Sequence, residues 1–416
     1  MSQNNNQVIT FGCRLNIYES EIIRKNLELS GLSDVCVINT CTVTKEAEKQ
    51  AKQTIRKIKR NSPNTRIIVT GCAAQNNPSN FINMQEVDKI IGNEEKLYSK
   101  NYSFEGEKSL VNDIMSVKET APQLITNFEG RTRGFIQIQN GCNHRCTFCI
   151  IPFARGNSRS VPIGEIVEQT KILVDQGYKE IVLTGVDVTD YGLDLPGSPR
   201  LGQMIKRLLN LVPDLKRLRL SSIDVAEIDE ELFELMAYNK KLMPHFHISL
   251  QAGDNMILKR MKRRHNREQI IEFCNKLRSL RQDVSFGADI IAGFPTETEN
   301  MFLNTKNLIS EAKLQYLHVF PYSERENTPA SRMPQIDVKI RRERAKTLRD
   351  EGEKQLQIFY NQFIGREFEA LVEKDNFARL ENFIQVKLDG ISEQGSVVNV
   401  KLFNIQDGHI EAKMIR

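Results

Sequence analysis

Cys142, Cys146 and Cys149 stand in a CxxxCxxC array, with Phe148 just before the last of them. Clustered thiolates are soft ligands and suit zinc or iron–sulfur chemistry better than a disulfide framework. The count of three carries information. A structural zinc ion closes its shell with four protein ligands, whereas a [4Fe–4S] cluster can take three thiolates and leave one iron open to a small molecule. Cys13, Cys41 and Cys72 each end a short β-branched run, two of them directly after a glycine. If those runs are parallel strands, the thiols arrive at the sheet edge where ligands gather in open α/β folds, forming a second three-cysteine metal site. The competing reading is that they are small buried hydrophobes. That reading suits Cys36, early in its run, and Cys274, on an apolar helical face, which complete the eight cysteines.

The elements that must hold these residues follow from periodicity. Residues 7–13, 35–41 and 66–72 read as strands. Between them Ile22, Ile23 and Leu27, then Ala47, Ala51, Ile55 and Ile58, repeat at helical spacing, with Pro63 closing the second helix. The order β-α-β-α-β predicts a parallel sheet covered by helices. Residues 92–133 lose the alternation and read as a linker or peripheral segment. Further strands are expected at 134–140, 180–185, 216–222, 245–251, 285–293 and 314–322, with helices such as 163–176, 229–238 and 256–280 between them. Six such units predict an α/β fold with a (βα)6 barrel or partial barrel of parallel strands, and the CxxxCxxC array follows its first strand, at the mouth. Polar or glycine-rich strand ends at 183–192, 221–224, 249–253 and 293–298 would ring that mouth and suit a nucleotide-like ligand. His245 and His247 alternate on one strand and read as satisfied core histidines. Alternating stretches at 383–388 and 397–403 read as further strands.

The chain has 416 residues, 40% hydrophobic and 27% charged, an ordinary globular mixture for two or three domains. No apolar run approaches the ~20 residues of a membrane helix, and the first six residues lack the basic-then-apolar pattern of a secretory signal. A cytoplasmic location is expected. The net charge of +5 is unevenly spread, with basic runs at 45–66, 259–267 and 339–349. Such runs are usually solvated helix faces, but three of them favour a polyanion such as RNA.

Taken together, these residues resemble the radical S-adenosylmethionine (SAM) methylthiotransferases along nearly the whole chain. The resemblance is carried by Gly12-Cys13-Arg14-Leu15-Asn16, Asn39-Thr40-Cys41-Thr42, Gly71-Cys72-Ala73-Ala74-Gln75, the CxxxCxxC array, Pro152-Phe153-Ala154-Arg155-Gly156, Leu250-Gln251-Ala252-Gly253 and Gly293-Phe294-Pro295. It implies two [4Fe–4S] clusters, a radical-SAM cluster on Cys142, Cys146 and Cys149 and an auxiliary, sulfur-handling cluster on Cys13, Cys41 and Cys72. It implies SAM as cofactor, with Phe148 against the adenine and Gly185, Asp187, Ser222 and Gln251 touching its polar parts. The domains would be 1–115, a methylthiotransferase domain; 128–360, the radical-SAM core; and 361–416, a TRAM-like barrel. The subfamily it looks most like modifies N6-threonylcarbamoyladenosine at position 37 of the tRNA anticodon loop, drawing electrons from a flavodoxin or ferredoxin. Relatives acting on isopentenyladenosine or on a ribosomal-protein aspartate, and a non-catalytic metal-containing RNA-binding module, are the alternatives. Ala252 and Asp254 stand where the family has small hydroxyl residues, and Thr296 and Asn327 where it has glycine. Asn tolerates the left-handed turn that position 327 would need.

Overall fold

A computed structural model describes residues 5–120, 124–406 and 408–415; most of the chain's first six residues therefore lie outside it. The first layer is a five-stranded parallel sheet in sequential order: β1 (Gln7–Thr10), β2 (Val35–Thr40), β3 (Arg66–Gly71), β4 (Lys89–Ile91) and β5 (Ser109–Leu110). The alternation of β2 sorts its side chains cleanly. Cys36 and Ile38 pack with Ala51, Ile55 and Val69 on one face, while Val35 and Val37 pack with Ile23, Leu27 and Ile68 on the other. Full burial of each such aliphatic side chain stabilises by about 1.5–3 kcal/mol. Two helices cover the faces, α1 (Arg14–Ser30), ended by Gly31 at φ 65°, and α2 (Lys45–Asn61), whose N-terminus is capped by the Thr44 hydroxyl. The expected linker from residue 92 is corrected here. β5 pairs with β4, and the buried Tyr102 joins the sheet's core, so the sheet extends two strands beyond the three expected.

The central body carries six strand positions in an arc. β6 (Arg133–Gln137) is followed by a small ribbon of β7 (Gln139–Asn140) and β8 (Arg159–Ser160). β9 (Glu180–Thr184) and β10 (Arg217–Leu220) complete a parallel sheet with β6. β11 (Ser222–Ile223), β12 (His245–Gln251), β13 (Ser285–Ala292) and β14 (Tyr316–Pro321) form a second parallel sheet. The single third strand expected at 216–222 is thus broken at Ser221 and shared between the two sheets, which a Leu218–Leu242 bridge links. The expected helix 256–280 is also two helices, Asn255–Met261 and Arg267–Leu280. Lys262 ends the first in a left-handed turn (φ 59°), and Asn266 and Gln269 form a capping box for the second. Asn327 does adopt the left-handed turn (φ 67°), and so does Thr296 (φ 68°), whose carbonyl and hydroxyl are both held by Arg260.

The helix Val338–Asn361 crosses β14 and delivers Phe359, Tyr360 and Phe363 into the core of a closed barrel, β15 (Glu367–Val372), β16 (Phe377–Leu380), β17 (Gln385–Leu388), β18 (Val397–Gln406) and β19 (His409–Ile415). This barrel caps the amino-terminal end of the central strands. Phe383, in a tight turn at φ 72°, stacks on His245 at 4.2 Å and lies 4.6–5.8 Å from the guanidinium groups of Arg133, Arg219 and Arg379. Beneath it Glu180 accepts hydrogen bonds from Arg217 and Arg219, which also donate from Nη2 and Nη1 to the carbonyls of Arg379 and Glu381 respectively. Among the described residues, no helix is long and apolar enough to cross a membrane.

Candidate metal centres and their surroundings

The CxxxCxxC loop leaves β7 through Gly141 at φ 73°. A Cβ there would lie 1.9 Å from the Asn157 carbonyl oxygen, so only glycine lets the loop fold back on the chain that follows it. Backbone hydrogen bonds then fix the loop, Cys142 N to Gly156 O at 3.0 Å and Cys149 N to Cys146 O at 3.1 Å. Thr147 ties it to the rest of the mouth, donating from N to Met261 O and accepting from Ala330 N. Burial and the neighbouring thiols push the Cys142 and Cys149 thiols up, Cys149 to about 12, with Asp187 adding to the shift at Cys142. A donor set that resists ionising alone suits a cation that would claim the thiolates. A countercharge is already in place: Arg263 Nη1 lies 3.6 Å from Cys146 Sγ, and its Nη2 donates to Asp224 at 2.8 Å.

The three thiols at the sheet edge also converge. Cys13 directly precedes α1, Cys41 follows β2 and Cys72 opens the short helix Cys72–Asn76 after β3. Gly12 (φ 99°) lies so close to Cys41 that a Cβ would sit 2.8 Å from the Cys41 Cβ, and Gly71 (φ 92°) is pressed against the Thr40 backbone. Burial and the neighbouring thiols raise Cys41 to about 12, and the Cys72 thiol also acts to raise Cys13, which is exposed. Cys72 Sγ accepts from Arg155 Nε at 3.1 Å and from Asn93 Nδ2 at 3.8 Å. Arg155 stands at the end of the five-residue helix Ile151–Arg155, about 7 Å long, which begins two residues after Cys149. One short helix therefore connects the two trios.

Arg155 sits in a buried ionic cluster. Glu19 of α1 accepts from both Arg155 and Lys96, and Lys96 also donates to Asn93 at 2.7 Å. Burial opposes the Glu19 charge, but the two cations outweigh it and hold its carboxyl below the usual range. The cluster holds two cations against one carboxylate, and the surplus positive charge faces Cys72. That surplus suits thiolates carrying negative charge. Sequence reading missed Glu19, Lys96 and Asn93, and assigned no role to Arg155 within its quoted motif. Glu19 offers one usable signal, a carboxylate four residues after Leu15 on the apolar face of α1.

The five expected SAM contacts divide. Ser222 and Gln251 are half-buried, at or beside the carboxyl ends of their strands, and their side chains hydrogen-bond to no described residue, so both remain free for a ligand. Phe148 is partly buried and meets Phe294 edge-on at 6.5 Å, beside Ala252 and Tyr322. Asp187 is committed to the loop: it accepts from His144 Nε2 at 2.9 Å and lies 3.8 Å from Cys142 Sγ. Hydrogen bonds to Asp187 and Glu227 raise His144 to about 10. Gly185 has a packing reason for being glycine, since a Cβ would meet the Gln139 carbonyl at 2.8 Å.

Two of the three basic runs turn part of their cations inward as struts. Arg341 donates to the Ile336 and Tyr322 carbonyls, Arg344 pairs with Glu297, and Arg267 reaches the Gly253 and Asn304 carbonyls. α2 keeps an expected charged face, with Lys45, Lys49, Arg56, Lys57 and Arg60 exposed, and the run at 339–349 keeps another, with Lys339, Arg342, Lys346 and Arg349 exposed. Cys36 and Cys274 are buried in apolar cores as expected. His247 is buried and satisfied, as expected, but His245 is not. Both point into the lumen of the central arc, where neither ring nitrogen of His245 has a partner among the described residues and His247 bonds to Asp289.

Comparison with known proteins matches residues 136–309 to the model described as the Radical SAM superfamily and residues 5–92 to Uncharacterized protein family UPF0004. The chain is 64% identical to the threonylcarbamoyladenosine tRNA methylthiotransferase MtaB of Rickettsia prowazekii, over 98% of this chain and 97% of that protein. It is 30% identical to a tRNA-2-methylthio-N(6)-dimethylallyladenosine synthase of Finegoldia magna, over 98% and 94% of the two chains. Among solved structures, the radical SAM methyltransferase TsrM of Kitasatospora setae matches with a TM-score of 0.58 at 16% identity, covering 78% of this chain and 74% of that one.

Proposed function

We propose that this chain, which belongs to the radical SAM methylthiotransferases, replaces the C2 hydrogen of N6-threonylcarbamoyladenosine with a methylthio group at position 37 of tRNA, in the cytoplasm. One observation carries the reading: two cysteine trios, each on the ends of parallel strands or the loop after one, are joined by a helix whose Arg155 touches Cys72. The preference for the threonylcarbamoyl base rests on the 64% identity, against 30% for the dimethylallyl-directed relative.

Three thiols at each site, flanked by Arg263 and Arg155, fit the three-thiolate binding of a [4Fe–4S] cluster better than a four-ligand zinc shell. Cys142, Cys146 and Cys149 would hold one cluster and Cys13, Cys41 and Cys72 the other. Bound there, the clusters and SAM supply an electron, a carbon radical, sulfur and methyl, the steps no acid–base side chain performs on an unactivated C–H bond. The residues of the chain position and enclose. Ser222 and Gln251 offer free polar groups to the amino-acid and ribose parts of SAM, and Phe148 with Phe294 walls its adenine from water. Asp187, His144 and Glu227 hold the loop by a charged network. Residue 37 must leave its stack to reach this depth, and the exposed cations of α2 hold phosphates outside. That helix starts at the rim of the site, where Lys45 N donates to Ser323 and Arg325 pairs with Glu48. A flavodoxin or ferredoxin supplies electrons, and the working units are residues 1–115, 128–360 and 361–416.

The test is nucleoside mass analysis of tRNA from cells lacking the gene. Loss of 2-methylthio-threonylcarbamoyladenosine alone is expected. Loss of the isopentenyl form instead would move the substrate to the other subfamily, and zinc in place of about eight irons per chain would remove the enzymatic reading.

A further inference from the structure

The inner wall of the central arc carries a polar group that the proposed chemistry does not use. On β12, β13 and β14, Phe246, Ile248, Ala288, Ile290, Leu317 and Val319 face the main apolar core, so the alternate residues His247, Asp289 and His318 face the lumen. His247 Nε2 lies 2.9 Å and His318 Nδ1 3.1 Å from the same Asp289 oxygen, Oδ1. The His318 side chain stays 61% exposed, open to a ligand in the lumen.

Asp289 of this group is among the charges within reach of Arg14. That arginine follows Cys13 directly, and the charges acting on it are Arg133 and Arg219, which repel, and Glu180 and Asp289, which attract. Arg133, Arg217 and Arg219 all pair with Glu180. Arg14 is half-buried, yet it forms no hydrogen bond or ion pair with any described residue. A guanidinium held away from bulk water with its planar fork of donors unused is a receptor for a carboxylate.

We propose that Arg14, His318 and the His247–Asp289 pair form a subsite in the lumen for the amino-acid arm of the modified base, Arg14 gripping the carboxylate and His318 the hydroxyl. This inference rests on the threonylcarbamoyladenosine reading above. A threonine joined through its nitrogen ends in a carboxylate and a hydroxyl, matching a cation beside imidazoles. An isopentenyl arm would leave the same guanidinium desolvated and unpaired. The arm on N6 and the hydrogen on C2 flank N1 on one edge of adenine. A grip on the arm beside Cys13 therefore sets where C2 lies relative to the second cysteine trio.

The experiment compares binding of the cluster-loaded full-length protein to three anticodon stem-loops, carrying threonylcarbamoyladenosine, the same base with its carboxylate capped as a methylamide, or isopentenyladenosine. Wild type is expected to bind the free carboxylate about ten- to a hundredfold more tightly than the amide, the worth of one charge-assisted hydrogen bond. R14Q is expected to bind both alike, R14K to regain part of the difference, and iron content and visible spectrum to show that each variant is intact. Wild type that does not distinguish acid from amide, or R14Q that still does, overturns the subsite while leaving the substrate reading standing if wild type methylthiolates the threonylcarbamoyl stem-loop. Wild type that turns over only the isopentenyl stem-loop overturns both. One zinc per chain, lost in H318F, would assign the trio to a metal and overturn the subsite.

Discussion

Glu19→Gln isolates the buried ionic cluster beneath the second cysteine trio. Glu19, Arg155 and Lys96 are 1%, 2% and 0% exposed, so none of them can recover water when its partner is lost. The substitution keeps shape and hydrogen-bonding atoms but leaves two buried cations facing a neutral amide. Removing one partner of a buried pair costs roughly 3–5 kcal/mol; the amide still accepts one hydrogen bond, so about 3 kcal/mol is expected. That is a large share of a typical ~5–15 kcal/mol of stability. Because the chain has several bodies, the loss should be local. Hydrogen exchange is the assay: amides of α1 and of residues 93–97 should lose protection, while β12 and β13 keep theirs. Iron per chain should fall by about half as Cys13, Cys41 and Cys72 lose occupancy. Adding Lys96→Met removes the surplus cation and should recover much of the loss, so the two changes are strongly non-additive. Unchanged protection in Glu19→Gln, or simple additivity with Lys96→Met, would refute the account.

Other outcomes follow from the same reasoning. Cys41→Ala should keep reductive SAM cleavage but abolish methylthiolation, read by chromatography of 5′-deoxyadenosine and of the nucleoside; persistent sulfur insertion sinks the second site. Burial alone would raise Glu180, yet Arg219 and Arg217 hold it down to about 2, so its stabilising effect is complete above the unfolded value near ~4.3 and lost as pH falls toward about 2. Wild type should lose on the order of 3 kcal/mol of stability from this group over that window. Glu180→Gln should be weaker at pH 7 and show a flatter acid limb in urea titrations. Phe383→Ala removes the half-buried ring stacked on His245, at about 2–3 kcal/mol, below the ~3–5 kcal/mol of a fully buried Phe, and should make residues 361–366 sensitive to limited proteolysis; resistance equal to wild type contradicts the docking role.

The placement of Cys13, Cys41 and Cys72 at strand ends was legible because Gly12 and Gly71 precede two of them and β-branched runs mark the strands. The Arg155–Glu19–Lys96 cluster was not legible, because a charged residue on a helix reads as solvent-facing until its partner, 77 residues away for Lys96, is known. Arg263 and Arg344 were hidden in the same way, counted in basic runs yet turned inward. The helix break at Lys262 has no sequence signal, since lysine rarely takes a left-handed turn. β5 has two residues, too few for periodicity to detect. Phe383 lies in a turn, and only the assembled fold gives it a socket.

The short helix Ile151–Arg155, pinned at its end by buried charge, works as a gauge block. Sliding the first sheet against the central arc would drag Arg155 from Glu19 and Cys72 and leave buried charges unpaired. The spacing between the two trios is therefore a constant of the molecule, and the travel in each catalytic cycle belongs to the RNA and the groups it receives.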